Sequence, residues 1–458
     1  MGVEIAKKLS RFAIETKYED IPEEVFQLTK SLILKNVAGI LSGSINPSSM
    51  KFAKLIRDRR LPEEAGVIGS GFKTSLWEAT LLNAFFAHAS ELEDDFPMYG
   101  IQTDSGRRLG GGAWDITVIP LLVSLGEKLR LSGKAFLEAI TVGLEVHVRT
   151  CLFSAEHLGF LIVPGAVGPA LGAARPLGLS IDKTMSAIGL SMQAVPCVLL
   201  NVATDAHFLE SALQSLHGLI AAEMAKEGMT GNPDIGAFLS KYLGEQRVFP
   251  DEIVEGLGKR WLINEVLIKK YPCCIHTHRY IDAVIELREK HDLSYEKLET
   301  IEAHTGLAEN ALLNRPEPKT ESDLGFSFQH VLSCAMLDGD VNFGHTTHHA
   351  MTASRLREAR AKVKIITHPE WLPGMMENPA SITIKMNDGR VFSKERTNII
   401  GSRKEPLTMK QFRELYTKFT QGILTKEQIS RTADVILDLE KLTNVKELID
   451  MLVFVHKG

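Results

Sequence analysis

The stretch AHASELEDD, residues 87–95, places Glu91, Glu93, Asp94 and Asp95 within five positions, directly after the uncharged run LLNAFF. Carboxylates held this close repel one another, and burial of one of them raises its pKa. That is how a carboxyl becomes a usable base or acid near neutral pH. On a helix, Glu91, Asp94 and Asp95 would share a face and Glu93 would point elsewhere. The plainer alternative is a solvated helix end. It is weakened because acids at a helix C-terminus oppose the dipole, and because Pro97 and Gly100 signal a structured turn.

A second candidate is YGIQTDSGRRLGGGAWD, residues 99–115. Arg107 and Arg108 beside Gly110, Gly111 and Gly112 would make a flexible cationic loop able to grip a carboxylate and close over it. A mobile surface loop has the same composition, and Tyr99 is a weaker candidate beside it. The third is LIKKYPCCIHTHRYIDA, residues 267–283. Cys273, Cys274, His276 and His278 invite a metal reading, as do His345, His348 and His349, with 345 and 349 at helical spacing. Adjacent cysteines and one-residue gaps match no standard zinc spacing, so no metal is expected. Lys269 offers another chemistry: a desolvated lysine can act as a base or hold a substrate carboxylate. His278 is a weaker proton-transfer candidate.

The elements that must position these groups read as helix over the first 260 or so residues. In DIPEEVFQLTKSLILKNVAGILSG, Asp20 is a plausible N-cap, Pro22 suits the first turn, Val25, Leu28 and Leu32 make one apolar row, and Gly43 can close the end. KAFLEAITVGLEVHVR is apolar on most sides and predicts a central helix. In VPGAVGPALGAARPLGL, Gly165, Gly168 and Gly172 suggest either a phosphate-cradling loop or a helix face that lets another backbone approach. No strand precedes it and no Gly-Lys-Ser/Thr follows, which favours close packing. From about residue 265 the character changes. TIEAHTGL and KVKII read as strands, SITIKMNDGRVFSKE as a hairpin turning at Asn387-Asp388-Gly389, and FSFQHVLSCAML and HHAMTASRLREA as helices. Helix returns from Met409. The expected layout is a helical domain from residues 1–265 and 401–458, with an α/β domain over 266–400 and a small-molecule site between the lobes.

Bulk properties bound the function. The 458 residues carry a net charge of -5, which argues against a nucleic-acid partner. Five scattered cysteines suit a reducing compartment rather than a disulfide framework. The first residues hold no uninterrupted apolar segment, Ala6 stands where a myristoylation signal needs Ser or Thr, and no run approaches the roughly 20 residues of a membrane span. A cytoplasmic protein with no membrane partner is expected. There is no Gly-x-Ser-x-Gly elbow, Gly-x-Gly-x-x-Gly, Walker loop or His-Glu-x-x-His.

The chain resembles the MmgE/PrpD family nearly end to end. The motif Ala-His-Ala-x-Asp-Phe-Asp-Asp is similar to AHASELED, the family's glycine helix to GAVGPALGAA, and its Tyr-Pro-Cys-Cys…Thr-His…Ile-Asp-Ala block to YPCCIHTHRYIDA. The resemblance implies a large helical domain with an α/β lid, a homodimer, and no organic cofactor or metal. It places the motif's first aspartate on Glu91, a threonine on Asp95 and the family lysine on Lys269. Two family histidines fall near Ala113-Trp114 and Ile162, and a family lysine on Gln214. Gln214 and Cys274 are then expected to contact substrate. The implied chemistry is proton transfer at carbon next to a carboxylate. Glu91 or Asp95 would serve as base or acid, Lys269 as the opposing cation, and Arg107 or Arg108 as clamp. The implied function is a cofactor-independent lyase of the 2-methylcitrate dehydratase kind. The lost polar groups point to a small acid other than methylcitrate. An epimerase or isomerase, a decarboxylase, and a silent binding subunit are the alternatives.

Overall fold

The computed structural model describes residues 2–97, 100–155 and 158–454. The chain forms two compact units, one from Met1–Val266 with Thr408–Gly458, the other from Leu267–Leu407. The second unit extends past residue 400 because Ile268 N donates to Gly401 O at 3.1 Å and Arg396 pairs with Glu405.

In the first unit the helices Glu23–Ser44, Leu76–Ala89, Gly133–Thr150, Val167–Ala174 and Asp205–Lys226 pack side by side. Glu23–Ser44 is buried over nearly its whole length, so it behaves as an interior helix rather than an amphipathic one. Asp20 is not its cap: it lies in a single turn, Tyr18–Asp20, where its carboxylate accepts from Lys17 N at 2.9 Å, and Pro22 precedes the helix. Gly43 does not close it either. A Cβ there would sit 1.7 Å from Phe86 O, so this glycine permits contact with the neighbouring helix. The central helix Gly133–Thr150 is buried throughout most of its length, and the glycines of Val167–Ala174 press on it. A Cβ on Gly168 would lie 2.3 Å from His147 Cβ, and one on Gly172 3.2 Å from Gly143 Cα. The close-packing reading of that segment holds. Buried Arg149 pairs with Glu145 at 2.6 Å and donates to the carbonyls of Ile253, Glu255 and Arg260, tying a long connection onto the helix.

The second unit has a four-stranded sheet in the order Val391–Arg396, Ala380–Met386, Leu298–Thr305, Val363–Thr367. The last pair is parallel, linked through helical segments that include Phe328–Asp338; the others are antiparallel. Ala380, Ile382, Ile384 and Met386 alternate inward and pack against helix His278–His291. Gly389, at φ +86°, makes the hairpin turn. The stretch HHAMTASRLREA is two short helices, His348–Thr352 and Ser354–Ala361, broken at Ala353. Among the described residues no helix is long and apolar enough to cross a membrane.

Candidate active site

The acid stretch is not helical. Helix Leu76–Ala89 ends before it, and Glu91 takes the left-handed conformation at φ +53°, which costs a non-glycine residue about 1 kcal/mol. What stops the helix is tertiary. Buried Lys35, on helix Glu23–Ser44, donates to Leu92 O and pairs with Asp94 Oδ1 at 2.5 Å. Asp115 Oδ1 accepts from Asp94 N at 2.9 Å, and Asp115 N donates back to Asp94 O at 3.2 Å. Burial, then the charge of Asp94, push the Asp115 carboxyl well above its usual range, with Lys35 opposing. Asp94 and Asp115 therefore anchor the turn, and the shared-face expectation gives way to a pinned loop. The solvated-end alternative fails as well, because Glu91, Glu93 and Asp94 are all buried.

That pinning points Glu91 at two histidines the sequence did not single out. His207 Nε2 lies 3.9 Å from Glu91 Oε1. On the other side its Nδ1 donates to Glu210 Oε2 at 3.0 Å. Glu210 is itself fixed, its Oε1 accepting from Val198 N and Asn201 Nδ2, both at 2.9 Å. His88 packs against His207 with centroids 4.3 Å apart and the rings tilted by 56°, and its Nδ1 lies 3.0 Å from Ser211 Oγ. Burial would push the His207 pKa down. The hydrogen bond to Glu210 and the charges of Glu91, Glu210 and Glu93 outweigh it and leave the pKa raised. The raised value favours a charged imidazole between Glu91 and Glu210.

Asp95 sits in a two-residue strand paired with Ala113-Trp114, and its Oδ1 accepts from Trp114 Nε1 at 2.6 Å. The Trp114 ring lies 4.7 Å from His88 and 5.8 Å from His207, centroid to centroid. The tryptophan standing near an expected histidine thus walls the same cluster. His147 accepts from Trp114 N, and burial pushes its pKa down to about 3, so it is neutral. Ile162 is buried and apolar. Gln214 is buried on the helix that carries His207, its amide against the Cα of Gly165 and beside Cys197.

The glycine run is not a loose tether. A Cβ on Gly111 would collide with Cys151 O at 2.3 Å, and Gly110 N donates to Leu152 O. Arg107 and Arg108 stand on a small exposed hairpin, where Arg107 pairs with Glu252 at 3.0 Å and covers the Phe249 ring. Tyr99 lies outside the described residues.

Lys269, Cys274 and His278 belong to the second unit and are buried. Lys270, next in sequence, pairs with Asp282 at 2.6 Å, and Tyr271 also donates to Asp282. His278 meets the edge of the Tyr271 ring. Burial, with Arg279 and Lys269 near, pushes His276 down to about 3. Cys274 N donates to Gly325 O, and its carbonyl accepts from Thr277 Oγ1. The cysteine–histidine block does not converge on a cation position. His345 and His349 fall in separate helical turns. Among the described residues only His88, Glu91 and His207 bring one donor atom each within 4.8 Å of one another. The spacing suits a small cation, and His207, its pKa raised, offers a counter-charge to Glu91 in its place.

Comparison with known proteins agrees with the architecture. The MmgE/PrpD N-terminal domain matches residues 7–249 and the MmgE/PrpD C-terminal domain residues 271–441. Cis-aconitate decarboxylase of Mus musculus is 27% identical over 359 residues, covering 73% of this chain and 72% of the mouse protein. The cis-aconitate decarboxylase-like protein oryM of Aspergillus oryzae is 25% identical over 488 residues, covering 98% and 97%. The Aspergillus terreus cis-aconitate decarboxylase is 22% identical, covering 98% and 96%. An interior helical unit carrying buried acid–base groups, with lyases as relatives, defines an enzyme of the lyase type. The chain belongs to the MmgE/PrpD family.

Proposed function

We propose that the chain is a lyase acting on a small organic acid by proton transfer at the carbon next to a carboxylate, with Glu91 as the group that takes or returns the proton. The observation that carries this reading is the buried contact of Glu91 with His207, at the motif position shared with the family. Removing a proton from such a carbon needs a base held close and dry, and positive charge to steady the enolate that forms. Glu91 suits the first need. Lys269, buried in the second unit, is the proposed cation for the second.

The relatives named for cis-aconitate favour loss of carbon dioxide as the bond-breaking step. Dehydration of a related hydroxy acid is the second reading. The apolar residues at Ala113, Trp114 and Ile162 support an acid with fewer polar groups than methylcitrate. Asp95, Gln214, Cys274 and His278 are secondary contacts in this proposal. Arg107, exposed and already paired with Glu252, is the least suited to it. Operation without a cofactor, assembly as a homodimer and a cytoplasmic location belong to the same proposal.

The test is incubation of the purified protein with cis-aconitate and with 2-methylcitrate in deuterated water, following carbon dioxide, alkene absorbance and deuterium at carbon. Release of carbon dioxide with deuterium incorporated at carbon, or formation of an alkene by loss of water, is expected from one acid of this class. Deuterium exchange with no bond broken would replace the lyase reading by an isomerase.

A further inference from the structure

The contacts around His207 extend the proposed function and rest on it. His207 lies on helix Asp205–Lys226, between Glu91 at 3.9 Å and Glu210 at 3.0 Å. Glu210 cannot swing away without losing its bonds to Val198 N and Asn201 Nδ2. His88, tilted, and Trp114, nearly perpendicular, pack against the ring. The imidazole therefore has one orientation, Nδ1–H to Glu210 and Nε2 toward Glu91. A carboxylate buried without a counter-charge takes a proton and ceases to be a base. An imidazolium 3.9 Å away prevents that.

We propose that His207, clamped by Glu210, is the positioning residue that keeps Glu91 ionised and aimed in the dry interior, a role supplied here from a helix outside the acid motif. The cycle balances without any added reagent. In dehydration Glu91 takes the proton from the carbon next to the carboxylate, the enolate expels hydroxide from the neighbouring carbon to form the alkene, and Glu91 passes its proton to that hydroxide as water. In loss of carbon dioxide the electron pair of the broken C–C bond makes the enolate, which takes at carbon one proton drawn from solvent through Glu91, while His207 keeps both of its own. The charged and titratable groups facing His207 are Glu91 and Glu93 from the turn, His88 from helix Leu76–Ala89, and Glu210 from its own helix.

The experiment is a pH titration of the histidine signals of the full protein labelled with carbon-13 at histidine Cε1, in wild type, Glu91→Gln and Glu210→Gln, with His207→Gln assigning the resonance. Each carboxylate removed should shift the His207 midpoint to lower pH, a readout that needs no turnover and so stands apart from the choice of substrate. The same midpoint in wild type and both variants would overturn the proposal. So would a stoichiometric divalent ion that suppresses the His207 titration. On whichever acid turns over, His207→Gln should shift the acidic limb of the kcat profile to higher pH with KM little changed. An unshifted limb with an evenly lowered rate would mark a merely structural residue.

Discussion

At the residue scale, the four acids of the opening motif do different work. Asp94 is a structural anion held by Lys35 and linked to Asp115, whereas Glu91 faces His207. Removing one partner of a buried pair leaves an uncompensated charge and costs about 3–5 kcal/mol. Lys35→Met should therefore lower the stability read from urea denaturation by that amount. A loss under about 1 kcal/mol would mean that Asp94 is not charged there. The clustering of Glu91 with other acids is legible from the sequence because carboxylates cluster visibly. His207 is not, since it arrives from another helix: Ser211 and His88, which touch in the same cluster, are 123 positions apart. His88 lies inside the motif, but a lone histidine on an apolar helix is usually a satisfied core group and carries no signal of its own.

At the element scale, periodicity exposed the interior helices and the Asn387-Asp388-Gly389 hairpin, because those signals are local. The end of helix Leu76–Ala89 carries no local signal because it is set by a lysine from another helix, not by a local cap. The same logic explains Gly43, read as a helix stop but used as a contact. Gly43→Ala puts a methyl into Phe86 O and should cost about 3 kcal/mol by overpacking, measured as a lowered denaturation midpoint. Gly389→Ala, with open space around the new methyl but φ at +86°, should cost only about 1 kcal/mol.

At the scale of the whole molecule, buried histidines make stability depend on pH. Burial pushes His147 and His276 down to about 3 and His330 to about 4, so all three stay neutral when folded. The unfolded chain takes up protons on them below about pH 6.5. Stability should therefore fall on acidification from about 6.5 toward about 4, by up to about 1.4 kcal/mol per pH unit for each group. His207, raised in the fold, acts in the opposite sense. Its contribution is complete below about pH 6.5 and is lost as pH rises through its folded value. Thermal unfolding across pH 4–8 reads both: a midpoint independent of pH between 6.5 and 4 would contradict neutral burial of the three. The change from helical to strand patterns near residue 265 is a periodic signal that the sequence carries openly, whereas the irregular tie of 401–407 to the second unit carries none.

The most direct measurement of the central claim compares wild type with Glu91→Gln for deuterium incorporation at carbon during turnover of cis-aconitate or the acid that replaces it. A drop of about 100-fold or more, in a protein that still folds and binds the acid, is the predicted result. Equal incorporation by the two proteins would contradict the assignment of Glu91 as the proton-transfer group.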